Sequence, residues 1–107
     1  MKPTREQLEF AAKASGKHII FWGKKGEENC AIADIYPVQR WDPTESKTDS
    51  FDLMVVCEIE PQFYVNNTLC QKHGVHGRGY LVDHNNDKVL ATMWASFLCA
   101  VEIGRAM

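Results

Sequence analysis

Apolar positions at helical spacing predict a first helix near the start of the chain. We place it over residues 4–15, where Thr4 and Gln7 have the spacing of a capping box. Gly16 follows in the position that favours a left-handed residue after a helix. The predicted buried face has small side chains: Leu8, Ala11, Ala12 and Ser15.

A second helix is expected from Lys47 to Glu58. Ser46 and Asp49 have the spacing of a capping box at its start, and Pro61 limits its continuation. The apolar residues of this segment predict its buried stripe: Phe51, Met54 and Val55.

The last helix is the most apolar segment of the chain. We expect it from Asp87 to Ile103, with Asn85 and Asn86 as its cap. A helix this apolar is covered over much of its circumference, so it is the predicted centre of the core. Either both neighbours bury it, or one stripe is left for self-association or a partner. The predicted core residues on it are Leu90, Trp94 and Phe97.

Four strands complete the predicted fold. Residues 18–22 and 30–36 are rich in β-branched and aromatic residues and predict one hairpin, with its turn at residues 24–28. Residues 62–69 and 79–84 predict a second pair, on either side of a glycine-rich loop. The element order α-β-β-α-β-β-α predicts a single α+β domain over residues 1–107. We expect a layered sandwich with three helices and one four-stranded antiparallel sheet.

The amino-acid composition and charge argue against several classes of protein. The chain has 107 residues, 45% of them hydrophobic, and a formal charge of −2, which argues against a strongly basic nucleic-acid binder. No apolar run approaches the length of a membrane span, and the first residues are polar, unlike a signal peptide. We therefore expect a cytoplasmic protein that inserts into no membrane and does not bind nucleic acid directly. Its four cysteines are expected to be reduced thiols.

The sequence has few residue patterns that are typical of a catalytic or metal site. Cys70, His73 and His76 have a metal-like spacing, with His84 further on, but they fall in a glycine-rich loop rather than on two rigid knuckles. Neither a recognised cysteine–histidine catalytic motif nor a phosphate-binding loop is present. The interpretation that we prefer is a protein without catalytic residues, metal or cofactor, and an enzyme or metal protein is the less favoured alternative.

The loop between the last two predicted strands is the preferred binding site. It offers cationic and imidazole side chains on glycine-rich backbone, which is typical of recognition loops on a rigid scaffold. Trp41, in the connector before the second helix, packs over an edge of the fold or contacts the partner. The predicted partner-binding residues are Trp41, Lys72, His73, His76, Arg78 and Tyr80. Lys72, His76, Arg78 and Tyr80 would also suit a small ligand such as a nucleotide.

Two segments resemble a family of small phage proteins. The stretch Trp41-Asp42-Pro43 through Val55 resembles a pattern in which Trp-Asn/Asp-Pro precedes an acidic turn and a helix. The ending Ala100-Val101-Glu102-Ile103-Gly104-Arg105-Ala106-Met107 is similar to the ending of the same proteins, where an alanine-rich helix closes with Glu-Ile-Gly. These belong to the phage ABA sandwich group of accessory proteins. Here Phe51 stands where alanine is usual, and the loop of residues 70–79 is not part of the pattern.

The resemblance implies a phage or prophage origin and a layered α/β fold, and the family has no assigned catalytic residues to carry over. Together with the composition, it predicts an accessory protein that binds and inhibits a bacterial host protein, in the host cytoplasm. A defence complex, as for an anti-CRISPR inhibitor, is the natural target. The alternative function is a module that binds or sequesters a small ligand or nucleotide, and homo-oligomers remain compatible with both.

Overall fold

The computed structural model describes residues 2–22, 29–33, 39–73 and 79–107. Within these ranges the chain is α+β, as the sequence predicts. Its elements, in order, are α1 (Arg5–Ala14), β1 (Ile19–Trp22), β2 (Asn29–Ile32), β3 (Gln39–Arg40), α2 (Lys47–Val56), β4 (Ile59–Phe63), β5 (Asn67–Lys72), β6 (Gly79–Asp83) and α3 (Lys88–Arg105).

The first helix has the predicted ends. The Gln7 amide donates to the Thr4 hydroxyl at 3.1 Å, and the Thr4 amide donates to the Gln7 side chain at 3.0 Å, which completes the capping box. Gly16 follows the helix with φ of 69°, a left-handed conformation that glycine adopts at little cost. Leu8, Ala11 and Ala12 are buried as predicted.

The strands form two three-stranded antiparallel sheets in place of the single four-stranded sheet that the sequence predicts. One has the order β1-β2-β3 and the other β4-β5-β6. The predicted strand over residues 62–69 is interrupted at residues 64–66, where the Tyr64 amide donates to the Asn67 carbonyl at 2.9 Å. The turn divides it between β4 and β5. Pro61 fits into β4 because β4 is an edge strand.

The two predicted strand pairings are confirmed where the structure describes them. Ile20 is paired with Ala31 between β1 and β2, and Leu69 with Leu81 between β5 and β6. The additional strand β3 pairs with β2, with Arg40 opposite Ala31. The predicted turn at residues 24–28, and the end of the predicted strand at residues 34–36, lie outside the described residues.

The orientation of α2 differs from the prediction. Phe51 and Val55 are 67% and 60% exposed, whereas Ser50 and Leu53 are buried, so the prediction is wrong for both of these apolar residues. Met54, the third residue of the predicted stripe, is half-buried and packs against the core. The connection before the helix gives the reason. The Asp49 carboxylate does not complete the expected capping box; it accepts a hydrogen bond from the Asp42 amide at 2.9 Å. This link helps to set the rotation of α2, so Ser50 and Leu53 face inward.

Helix α3 lies at the centre of the molecule and packs against α1, α2, β5 and β6. Asp87, rather than the two asparagines before it, is the N-cap, and its side chain accepts from the Leu90 amide at 2.9 Å. Trp94 and Phe97 are buried as predicted and meet edge to face, with ring centroids 5.7 Å apart. Leu90 was predicted in the core but is 43% exposed, because it lies in the first turn, at the margin of the packed region.

None of the helices in the described ranges, α3 included, combines the length and apolarity needed to cross a membrane.

Candidate partner-binding groove

A groove of about 690 Å³ lies between the β5–β6 pair and the last turns of α3. We call it the C-terminal groove. It brings together two of the predicted binding residues, Lys72 and Tyr80, with side chains from α3. The residues that line it are Lys72, Gly79, Tyr80, Cys99, Glu102, Ile103, Ala106 and Met107.

Strand alternation places the two predicted residues on the same side of the sheet. Tyr80 on β6 is paired with Cys70 on β5, and Cys70 is buried against α3. Lys72 lies two residues beyond Cys70, so strand geometry directs both side chains to one face. Lys72 and Tyr80 therefore meet the end of α3 at the open margin of this face.

The margin of the groove carries both hydrogen-bond donors and an acceptor. Burial, followed by a hydrogen bond with the Glu102 carboxylate, raises the pKa of Tyr80 above its usual range. Arg105 donates to Glu102 at 2.9 Å and neutralises part of its charge. The Lys72 ammonium adds a further donor. Ile103 and Met107 supply apolar surface between these groups.

Cys99, which lines the groove, and Cys70, which is paired with Tyr80, are protonated at neutral pH. Burial raises the pKa of Cys99 to about 11, although the backbone amide and ammonium of Lys72 oppose this effect. Burial also raises the pKa of Cys70 to about 12. A nucleophilic cysteine needs a lowered pKa, so neither thiol has the character of a catalytic nucleophile.

His73 lies on the opposite face from the groove. It is hydrogen bonded to Glu60, and its side chain is 66% exposed, whereas Cys70 is fully buried. The metal-like spacing of Cys70 and His73 therefore does not bring their side chains together. In the part of the chain that the structure describes, no three histidine, cysteine or acidic side chains are grouped to hold a metal ion.

Trp41, another predicted binding residue that the structure describes, does not line the groove. Trp41 is 1% exposed and belongs to the core, where the Cys30 thiol donates to the Trp41 carbonyl at 3.1 Å. The expectation that its side chain contacts a partner is therefore corrected: its large apolar surface is used in packing. His76 and Arg78 lie outside the described residues.

The contribution of α3 to the groove was not predicted from the sequence. Cys99, Glu102, Ile103 and Ala106 recur at three- and four-residue spacing, which places them along one side of a helix. This spacing is visible in the sequence. The spacing does not show that this side of the helix lies close to Lys72 and Tyr80, because that proximity depends on tertiary packing.

Comparison of the chain with protein-family models, curated proteins and solved structures found no match.

Proposed function

We propose that this protein is a non-enzymatic binding protein whose C-terminal groove receives an apolar segment of a protein partner. The observation that carries the proposal is the convergence of Lys72, Tyr80 and Glu102 around the apolar side chains of Ile103 and Met107. Interfaces commonly combine an apolar centre with polar groups at the rim, which fix the orientation of the partner.

The charges of the groove favour a protein segment over a highly charged ligand. Lys72 and Glu102 give the lining of the groove one charge of each sign. Arg105, which pairs with Glu102, also lies 3.9 Å from the Glu6 carboxylate. A polyanion such as a nucleotide phosphate would meet the Glu102 carboxylate as well as the lysine. A peptide presents amides and apolar side chains, which match the donors, the acceptor and the apolar surface of the groove.

The class of partner that we propose is a bacterial host protein, bound and inhibited in the host cytoplasm. The resemblance of residues 41–55 and 100–107 to small phage accessory proteins supports this choice. A defence complex is the first target to test, because a protein without its own chemistry acts on such a complex by occupying one of its surfaces.

A small organic ligand is the second candidate for the groove. Its volume of about 690 Å³ falls within the range of about 300–1,000 Å³ that is typical of small-molecule sites. A thermal-shift screen against cyclic and linear nucleotides tests this candidate directly. A ligand at a hundred times its Kd should stabilise the fold by about 2.7 kcal/mol. An unchanged melting temperature with every nucleotide of the panel would reject the nucleotide as the ligand of the groove.

Two variants test the protein-binding proposal. Ala106→Trp, at an exposed position of the groove, places a large side chain in its mouth, and Lys72→Glu reverses the charge at its margin. Lys2→Glu makes the same charge change at an exposed position outside the groove lining and is the matched control. Each is compared with the wild type by pull-down from bacterial lysate and by phage plating on hosts that carry a defence system.

We expect the wild type and Lys2→Glu to retain a stable partner and to protect phage in defended hosts. The two groove variants should lose both properties while keeping the wild-type melting temperature. Equal partner binding by all four proteins would reject the groove as the site. The absence of a stable partner together with unchanged plating would reject the function itself.

A further inference from the structure

Helix α2 turns an apolar side toward solvent. Phe51, Val55 and Val56 are 67%, 60% and 49% exposed, whereas Ser50, the neighbour of Phe51, is only 1% exposed. We call the exposed residues Lys47, Thr48, Phe51, Val55 and Val56 the α2 outer face. A helix that buries a serine and exposes the phenylalanine beside it has its most apolar side available for another surface.

The surrounding contacts hold α2 in this orientation. The Ser50 hydroxyl lies 3.4 Å from the Ser96 hydroxyl on α3, and Leu53 is fully buried. Lys17, which follows α1, forms an ion pair with Asp52 at 2.9 Å. Turning Phe51 inward would break the Ser50–Ser96 contact and expose Leu53. The fold therefore maintains the exposure of the outer face.

The charges at the two ends of α2 make the outer face complementary to itself. Lys47 is exposed in the first turn, and Glu58 is exposed just beyond the last residue of the helix. The midpoint between Lys47 and Glu58 falls between residues 52 and 53, and the midpoint between Phe51 and Val55 falls at residue 53. A two-fold axis through this point sets Lys47 opposite Glu58 of a second copy and Phe51 opposite Val55 of that copy.

We propose that the α2 outer face is a homodimer interface in which two copies of the helix pack antiparallel. The proposal is independent of the proposed function, since none of its residues lines the C-terminal groove. A helix of ten residues is about 15 Å long, so its face alone supplies much less than the roughly 800 Å² per partner of a standard interface. The dimer is therefore weak and concentration-dependent.

The first test compares two exposed phenylalanines by sedimentation equilibrium from micromolar to millimolar concentration. Phe51→Glu removes the apolar centre of the outer face. Phe63→Glu is the matched control, because Phe63 is 55% exposed on β4 and outside this face. We expect the wild type and Phe63→Glu to dimerise at the upper concentrations and Phe51→Glu to remain monomeric. A monomeric wild type throughout the range, or equal association of all three, would overturn the proposal.

Charge reversal tests the antiparallel arrangement. Lys47→Glu and Glu58→Lys each place like charges opposite one another in the dimer, and each should raise the dimer Kd. The double variant restores opposite charges and should return the Kd to near the wild-type value. Both single changes favour the dipole of an isolated α2, so loss of folding does not explain a weaker dimer. Additive weakening in the double variant would reject this pairing and overturn the proposal.

Discussion

Gly104 on α3 packs directly against the backbone of Phe10 on α1. A β-carbon built on Gly104 would lie 1.9 Å from the Phe10 carbonyl oxygen, which is far inside van der Waals contact. The two helices can approach this closely only because residue 104 has no side chain. The sequence Glu-Ile-Gly near the end of the chain therefore includes a packing residue in addition to any family resemblance.

We expect Gly104→Ala to destabilise the protein. In an isolated helix this change favours helix formation by about 1 kcal/mol, but here the methyl group must displace the backbone of α1. Overpacking of this kind costs about 1–3 kcal/mol. Urea unfolding monitored by circular dichroism measures the loss.

Gly16→Asn is the control for glycine replacement in general. Gly16 has a left-handed backbone, which asparagine tolerates, and a β-carbon there meets no atom within 4 Å. It should therefore change the unfolding free energy much less than Gly104→Ala. Unchanged or increased stability of Gly104→Ala would contradict the close packing of α1 on α3.

Two apolar residues of α3 distinguish the core from its margin. Trp94 is 6% exposed and contacts Phe97, whereas Leu90 is 43% exposed. Trp94→Ala should cost about 3–5 kcal/mol of unfolding free energy, as large-to-small core changes do. Leu90→Ala removes fewer buried atoms and should cost less than half as much. Chemical denaturation of both variants measures the difference, and equal losses would contradict the position of Leu90 at the margin.

Local signals predicted the ends of α1 because the interactions there are local. The reciprocal hydrogen bonds of Thr4 and Gln7 join residues three apart, and this spacing can be recognised in the sequence. The division of the strands was harder to predict, because residues 64–66 contain neither glycine nor proline to mark the turn. The α+β class was therefore predictable, and the arrangement of two sheets was not.

The orientation of α2 and the composition of the groove were not predicted from the sequence, for a different reason. Hydrophobic pattern placed Phe51 inward, but the hydrogen bond from the Asp42 amide to Asp49 and the contact of Ser50 with α3 oppose that rotation. Lys72 and Tyr80 were found as candidate residues because they flank a glycine-rich loop. Glu102, which lines the same groove, comes from a helix distant in sequence, so only tertiary structure identifies it.

The buried thiols should resist modification in the folded protein. Burial raises the pKa of Cys30 and Cys70 to about 12 and of Cys57 and Cys99 to about 11, from an ordinary value of 9.0. At mildly alkaline pH the native thiols should react with a disulfide reagent at least about a hundredfold more slowly than in denaturant. Absorbance of the released thiolate gives both rates.

All four cysteines should react promptly in denaturant, because the structure has them as free thiols. The native reaction and the denatured reaction are run on the same preparation, so the second is the control for reagent and protein concentration. A fast native phase would show that at least one thiol is accessible as thiolate, contrary to its burial.

The pair of Glu60 and His73 on the surface should make the stability of the folded protein depend on pH. The hydrogen bond with Glu60 and then its negative charge raise the pKa of His73 above the ordinary 6.5. Because the folded-state pKa is the higher one, the pair stabilises the fold fully below pH 6.5, and this contribution is lost as the pH rises through the raised value.

Titration of the His73 imidazole by NMR should therefore give a midpoint above 6.5. In Glu60→Gln the midpoint should move down toward 6.5, since the amide keeps a hydrogen-bonding group but carries no charge. A His73 midpoint that is the same in both proteins would show that Glu60 does not form this pair in solution.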